Sequence, residues 1–178
     1  MDKIGQRAAS VKRKRIILVL ICMLLVLNVV CLTGCGAGKK WKDGKCTISI
    51  ECSSILDNME ALKETKKEFV PSDGWILKET EVSFKGGETA FDVLKQICGK
   101  KGIHMASRYT PLYKSYYVEG INQLYEFDCG KNSGWMYSVN GEYPNYGASS
   151  YNLKDGDKVE WRYTCNLGSD VGDKYEGK

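Results

Sequence analysis

Hydrophobic positions change their period several times along the chain, and each change marks an element. Cys46 to Cys52 alternates strictly: Cys46, Ile48, Ile50 and Cys52 fall on one side, Thr47, Ser49 and Glu51 on the other. Period two with one apolar face predicts a half-buried strand. From Ser53 to Val70 the spacing of Ile55, Met59, Leu62 and Phe69 is close to helical, amid Lys and Glu, and Pro71 ends it. A short amphipathic helix or a set of helical turns is expected there. After an Asp73-Gly74 turn, Ile76 to Phe84 reads as a second strand, with Val82 and Phe84 facing the core.

Gly86-Gly87 then breaks the chain. Thr89 followed three residues later by Asp92 has the form of a capping box, and Ala90, Val93, Leu94, Ile97 and Cys98 make one apolar helical face. Gly99 with Lys100 and Lys101 is the expected stop. Residues 103–115 carry no period and contain Pro111, so they read as irregular. Tyr116 to Cys129 reads as two strands around a turn near Gly120–Gln123, and Gly134 to Asn140 as a further strand. Lys158 to Cys165 is the last, with Val159, Trp161, Tyr163 and Cys165 on one face. Asn140-Gly141 and Asp155-Gly156 are turn dipeptides between these strands. Asn166 to Lys178 is polar and Gly-rich and is expected to fray. Strands around one main helix predict an α+β fold: a small mixed β-sheet packed on that helix, β-grasp-like.

Charge and the N-terminus place the chain. Residues 1–34 hold Lys3, Arg7, Lys12, Arg13, Lys14 and Arg15 against one acid, Asp2, so the formal net charge of +4 belongs to the leader and the remainder is close to neutral. That remainder lacks the basic footprint of a nucleic-acid binder. Ile16 to Leu32 is a nearly continuous apolar run at the short limit for crossing a bilayer. It ends in Leu32-Thr33-Gly34-Cys35, which looks like a bacterial lipobox. The expectation is a lipoprotein signal peptide over 1–34, a lipid on Cys35 and a short tether over 35–45. A single N-terminal transmembrane anchor is the alternative. Both put the domain on the extracytoplasmic face of the cell membrane.

Outside the leader and Cys35 the cysteines are Cys46, Cys52, Cys98, Cys129 and Cys165. An exported chain permits disulfides. Cys46 and Cys52 lie six residues apart on one strand, about 20 Å, and cannot bond each other. Partners among Cys98, Cys129 and Cys165 stay open. With a single histidine, His104, and no Cys-x-x-Cys pair, a metal site and an enzyme are both disfavoured, and no cofactor is expected.

Four segments carry a family resemblance: Gly87–Leu94, Tyr117–Leu124, Gly134-Trp-Met-Tyr-Ser-Val-Asn-Gly141 and Leu153–Trp161. Together they resemble the transcobalamin-like C-terminal domain, catalogued in bacteria as a domain of unknown function, over 46–165. Gln123 stands where that family often has Gly. The resemblance implies a β-rich domain that closes over one face of a corrinoid, with Trp135, Tyr137 and Asn140 nearest the ligand. Two of the four Trp and a run of Tyr lie between Ser133 and Cys165. Trp135 and Tyr137 share a face with Val139, either as core or as a stacking surface for a planar ligand. Tyr143, Tyr146 and Tyr151, in a loop or its flank, are candidates for a recognition rim, and the binding surface narrows to Trp135, Tyr137 and the loop from Tyr143 to Tyr146. The expected function is that of a lipid-anchored binding protein for a corrinoid or similar small molecule, handing it to a membrane transporter. An adhesion or glycan-binding module and a non-catalytic structural envelope domain are the alternatives.

Overall fold

The structure, a computed structural model, describes Ile17 and residues 40–173. Apart from Ile17, the expected signal peptide, Cys35, most of the expected tether and residues 174–178 lie outside the described residues. The chain divides into two units, Met1–Lys40 and Trp41–Lys178, and the second carries every strand described below. Among the described residues no helix is long and apolar enough to cross a membrane.

The first strand, β1 (Gly44–Glu51), is the axis of the fold. It pairs antiparallel with β2 (Trp75–Phe84) on one side and parallel with β7 (Lys158–Thr164) on the other, and β7 pairs antiparallel with β6 (Gly134–Val139). The resulting order, β2-β1-β7-β6 with a parallel central pair, is a mixed sheet of β-grasp form. Register explains its apolar face: Ile48 sits opposite Val159, Ile50 opposite Trp161, and Tyr137 opposite Trp161 in turn. Period two puts all of them on one side of the sheet, and Ile48, Ile50, Val159 and Trp161 are buried there. Ala90–Lys101 is the main helix. Its buried residues, including Phe91, Leu94 and Ile97, join the same core.

The helix starts where its capping box predicts. Thr89 Oγ1 accepts from the Asp92 amide at 3.2 Å, and the Asp92 carboxylate accepts from the Thr89 amide at 2.9 Å. It stops later than expected. Gly99 remains helical, and the cap is Gly102, at φ 67° with its N–H bonded to the Cys98 carbonyl. Gly102 supplies the left-handed residue that ends a helix, and the lysines belong to the last turn.

The irregular reading of 103–115 is also corrected. Met105–Thr110 is a strand, β3, paired antiparallel with β4 (Ser115–Ile121), which pairs in turn with the two-residue β5 (Leu124–Tyr125). β3 is an edge strand whose residues are half-buried or exposed, so its stability comes from the ladder and leaves no alternation to read. The β4–β5 turn places Asn122 at φ 51° and Gln123 at φ 64°. Two left-handed residues define the tight hairpin turn that twists with its strands, which is why Gly suits the position Gln123 occupies. The segment from Ser53 to Val70 forms one helical turn (Ser53–Leu56) and a 3-10 stretch (Glu64–Phe69). Lys63 ties it to the buried Asp128 at 2.9 Å.

The C-terminal stretch is not frayed through residue 173. Asp170 accepts from the Thr164 hydroxyl and, at 2.7 Å, from the Cys165 amide. The Val171 carbonyl accepts from Arg162 Nη1 at 3.1 Å. Polar composition hid this docking, because side chains caught by backbone groups hold it.

The described cysteines are free thiols, and four of the five are buried. Burial pushes the Cys46 and Cys98 thiols up to about 11 and the Cys52 thiol up to about 12, from 9.0. The folded chain therefore holds these protons more tightly than the unfolded chain does. This contribution is fully present below pH 9 and is lost as pH rises through 11 to 12. Urea midpoints of the reduced protein are expected to stay level to about pH 9 and to fall above it. A flat profile into that alkaline range contradicts the burial of the three thiols.

Candidate ligand cleft

β6 is an edge of the four-stranded sheet, and β4 is the middle strand of the other sheet. Between them lies a hollow of about 250 Å³. Its walls are Tyr116, Tyr117 and Val118 from β4, Trp135 to Tyr137 from β6, and Trp161 from β7. The loop after β6 covers it with Tyr143, Pro144, Asn145 and Gly147. A second hollow of about 600 Å³ shares Tyr116, Tyr117, Pro144, Asn145 and Gly147 with the first and extends along Arg108, Thr110, Tyr113 and Tyr146. The two make one aromatic cleft of the size small-molecule sites have.

Hydrogen bonds fix the rings that face it. Trp135 donates its indole N–H to the Leu124 carbonyl at 2.8 Å and meets Tyr163 edge-on, centroids 5.3 Å apart. Tyr137 stacks on Trp161 at 5.5 Å, and its hydroxyl donates to the Tyr146 carbonyl at 2.7 Å, fastening the loop to β6. The Tyr143 hydroxyl donates to the Val171 carbonyl at 2.6 Å, fastening the same loop to the C-terminal stretch. At the loop's base, Ser149 Oγ is 2.8 Å from Ser115 Oγ and accepts from the Tyr116 amide at 2.9 Å. Across the cleft, Tyr116 stacks on Phe91 at 4.8 Å. Arg108 lies 5.3 Å over the Tyr117 ring while it pairs with Glu119 at 2.7 Å.

Burial raises the Tyr137 and Tyr143 phenols, and it raises Tyr117, which also donates to Glu126, up to about 12. All three hydroxyls are neutral at physiological pH. Chemically the cleft offers ring faces and uncharged hydroxyls, with Arg108 at one end and Asp173 bordering the first hollow.

The site residues expected from sequence are placed as follows. Trp135, Tyr137 and Tyr143 border the first hollow and Tyr146 the second. Tyr146 stacks its half-exposed ring on Tyr151 at 6.2 Å. Asn140 lies apart from both. Its side chain accepts from the Lys158 amide at 2.9 Å and donates to the buried Asp157 at 3.0 Å, closing the β6–β7 connection. It sits at φ 55°, a conformation Asn tolerates, so the Asn-Gly pair serves the turn. Trp161, read as core, is buried and also borders the cleft. His104 Nε2 is 3.3 Å from the Tyr125 hydroxyl. Among the described residues no group of three or more His, Cys, Asp or Glu could hold a metal ion. Tyr116, Tyr117 and Gly147 were not foreseen as site residues; the adjacent tyrosines on one strand were the available signal.

The fold and cleft define a β-grasp-like domain with an aromatic pocket beside its edge strand. Residues 87–165, less than half of the chain, match the family described as a domain of unknown function, DUF4430. Among solved structures the chain is similar to haptocorrin in complex with Cbi, at a TM-score of 0.50 and 17% identity. That likeness covers 77% of this chain and 29% of haptocorrin, and it concerns the fold. A protein of Ruminococcus gnavus ATCC 29149, described as a candidate metal binding protein, is similar at a TM-score of 0.40 and 14% identity, over 68% of this chain and 96% of that one. No curated protein matches the chain.

Proposed function

We propose that this chain is a lipid-anchored, extracytoplasmic binding protein whose cleft between β4 and β6 takes a flat, largely apolar small molecule for transfer to a membrane transporter. The observation that carries the reading is the fastening of the 143–147 loop. Two tyrosine hydroxyls hold it over a wall of rings while a cleft stays open beneath it. Rings already fixed in place lose little freedom when a ligand arrives, so their faces are available for stacking at low entropic cost. Corrinoids are the first class to test. The four motif segments resemble a corrinoid-closing domain, and haptocorrin, which shares the fold, was solved with Cbi. The lipid on Cys35 anchors the protein, since two or more acyl chains hold a protein stably at a bilayer.

The test is a titration of the full chain in detergent with cobalamin, read by calorimetry and by the visible spectrum. Binding heat and a spectral shift are expected, and Tyr146→Ala should weaken the affinity by roughly tenfold, the loss of about 1.4 kcal/mol of stacking. The absence of both heat and spectral shift at high micromolar cobalamin would rule out corrinoids. A glycan is the second reading, favoured by the half-exposed Tyr146 and the exposed Tyr113 beside Arg108. It predicts a saccharide-array signal that Tyr146→Ala removes.

A further inference from the structure

We propose that the end of the four-stranded sheet where β1 begins rests on the lipid bilayer, with Trp41 in the headgroup layer. This seating rests on the lipid at Cys35 put forward above. It starts from how early the chain joins the fold. β1 begins at Gly44, but residues 41–43 are already held against the turn after β2. The Asp43 carboxylate accepts from the Gly86 amide at 2.9 Å and from Lys85 Nζ at 2.8 Å. The Trp41 backbone lies so close over Gly86 that a Cβ there would come within 2.5 Å of the Trp41 carbonyl oxygen. The Trp41 ring lies over Gly87, 3.6 Å from where a Cβ would sit. Gly86 and Gly87 thus form a seat, and the first fixed point of the domain is Trp41.

Covalent reach then sets the height of that point. Cys35 and Trp41 are six residues apart, and six extended residues span at most about 22 Å. The chemistry at this end suits a bilayer surface. Trp41 is 38% exposed, and an indole, apolar in body with one N–H, is a side chain that collects at the membrane–water interface. Lys40 and Lys42 flank it, both exposed, and their ammonium groups suit anionic headgroups. The other end of the sheet gives the contrast. β2 runs from Trp75, opposite Glu51, to Phe84, opposite Gly44. Trp75, the other exposed tryptophan, therefore stands about 30 Å from the seated end. Trp161 lies opposite Ile50 and Trp135 opposite Tyr163, both away from the Gly44 end.

The seating has a consequence for the cleft. β7 is parallel to β1 and β6 antiparallel to β7, so β6 runs toward the seated end and delivers the covering loop on that side. The loop is thereby turned toward the membrane that would hold the transporter.

The test needs no ligand. The full chain, purified from bacterial membranes in detergent, is reconstituted into vesicles of phosphatidylcholine and phosphatidylglycerol with dansyl on a fraction of the headgroups. Intact mass and flotation on a density gradient test the anchor. Energy transfer from tryptophan to dansyl tests the seating. Trp41→Phe is expected to remove the largest share of the transfer, and Trp75→Phe to leave it almost unchanged. Ser83 is exposed near the seated end of β2, and Ser83→Trp added to Trp41→Phe is expected to restore most of the lost transfer. A lipidated chain that floats, yet loses as much transfer with Trp75→Phe as with Trp41→Phe or recovers none with Ser83→Trp, overturns the seating and leaves the anchor standing. An intact mass without acyl chains, or a chain that stays at the bottom of the gradient, overturns the anchor and the seating together.

Discussion

Tyr163→Ala is expected to destabilise the domain by about 3–5 kcal/mol, the range for removing a buried aromatic ring. Tyr163 is 1% exposed on β7 and opposite Trp135 in register. Its ring makes a T-shaped contact with Trp135, and its hydroxyl donates to the Tyr125 carbonyl at 2.7 Å and lies 3.0 Å from Ser133 Oγ. One side chain thus joins the four-stranded sheet to β5 and to the turn that precedes β6. Tyr163→Phe, which keeps the ring, is expected to cost about 1 kcal/mol, the typical net value of a hydrogen bond. Urea unfolding followed by tryptophan fluorescence measures both. A loss under about 1 kcal/mol for the alanine variant would mean that the two sheets are held by other contacts.

Gly147→Ala should have the opposite character: a small effect on stability and a large one on the site. Gly147 is bound into the covering loop, and both hollows touch it. A Cβ there would overlap the Ser115 hydroxyl and lie 2.6 Å from Ser115 Cβ. Ser115 cannot swing away at no cost, because it is buried and its hydroxyl contacts Ser149 at 2.8 Å. The loop must lift from β4. The expected result is a Tm within a few degrees of the parent and ligand affinity reduced at least about tenfold, since a displaced loop forfeits its stacking contacts. Ser115→Gly in the same chain removes the overlap and should restore most of the affinity. Affinity unchanged by Gly147→Ala would show that the loop does not cover the ligand.

How much of the fold was legible in the sequence differs by element, for physical reasons. β1, β7 and the main helix were readable because each buries one face of a regular period and the helix carries its own cap. β3 was not, since an edge strand is held by its ladder and its exposed residues follow no pattern. The docking of 166–173 was hidden because it rests on Asp170 and on the Val171 carbonyl, neither of which differs by composition from a loose end. The cleft was half legible. Trp135, Tyr137, Tyr143 and Tyr146 stood out by aromatic density near one turn, but their partners Tyr116 and Tyr117 arrive from the second sheet, and no local pattern tells which distant strands will face each other. Asn140 was misleading in the same way. A motif residue beside the aromatics turned out to be spent on a turn, where its side chain bridges Asp157 and the Lys158 amide.

The central claim is that ligand enters the cleft between β4 and β6. An amide chemical-shift map of the labelled protein, recorded with and without saturating cobalamin, tests it most directly. The expected perturbations cluster at residues 116–118, 135–137 and 143–147, with the indole N–H of Trp135 and Trp161 among them. No perturbation, or a cluster confined to the β1–β2 side of the sheet, would contradict it.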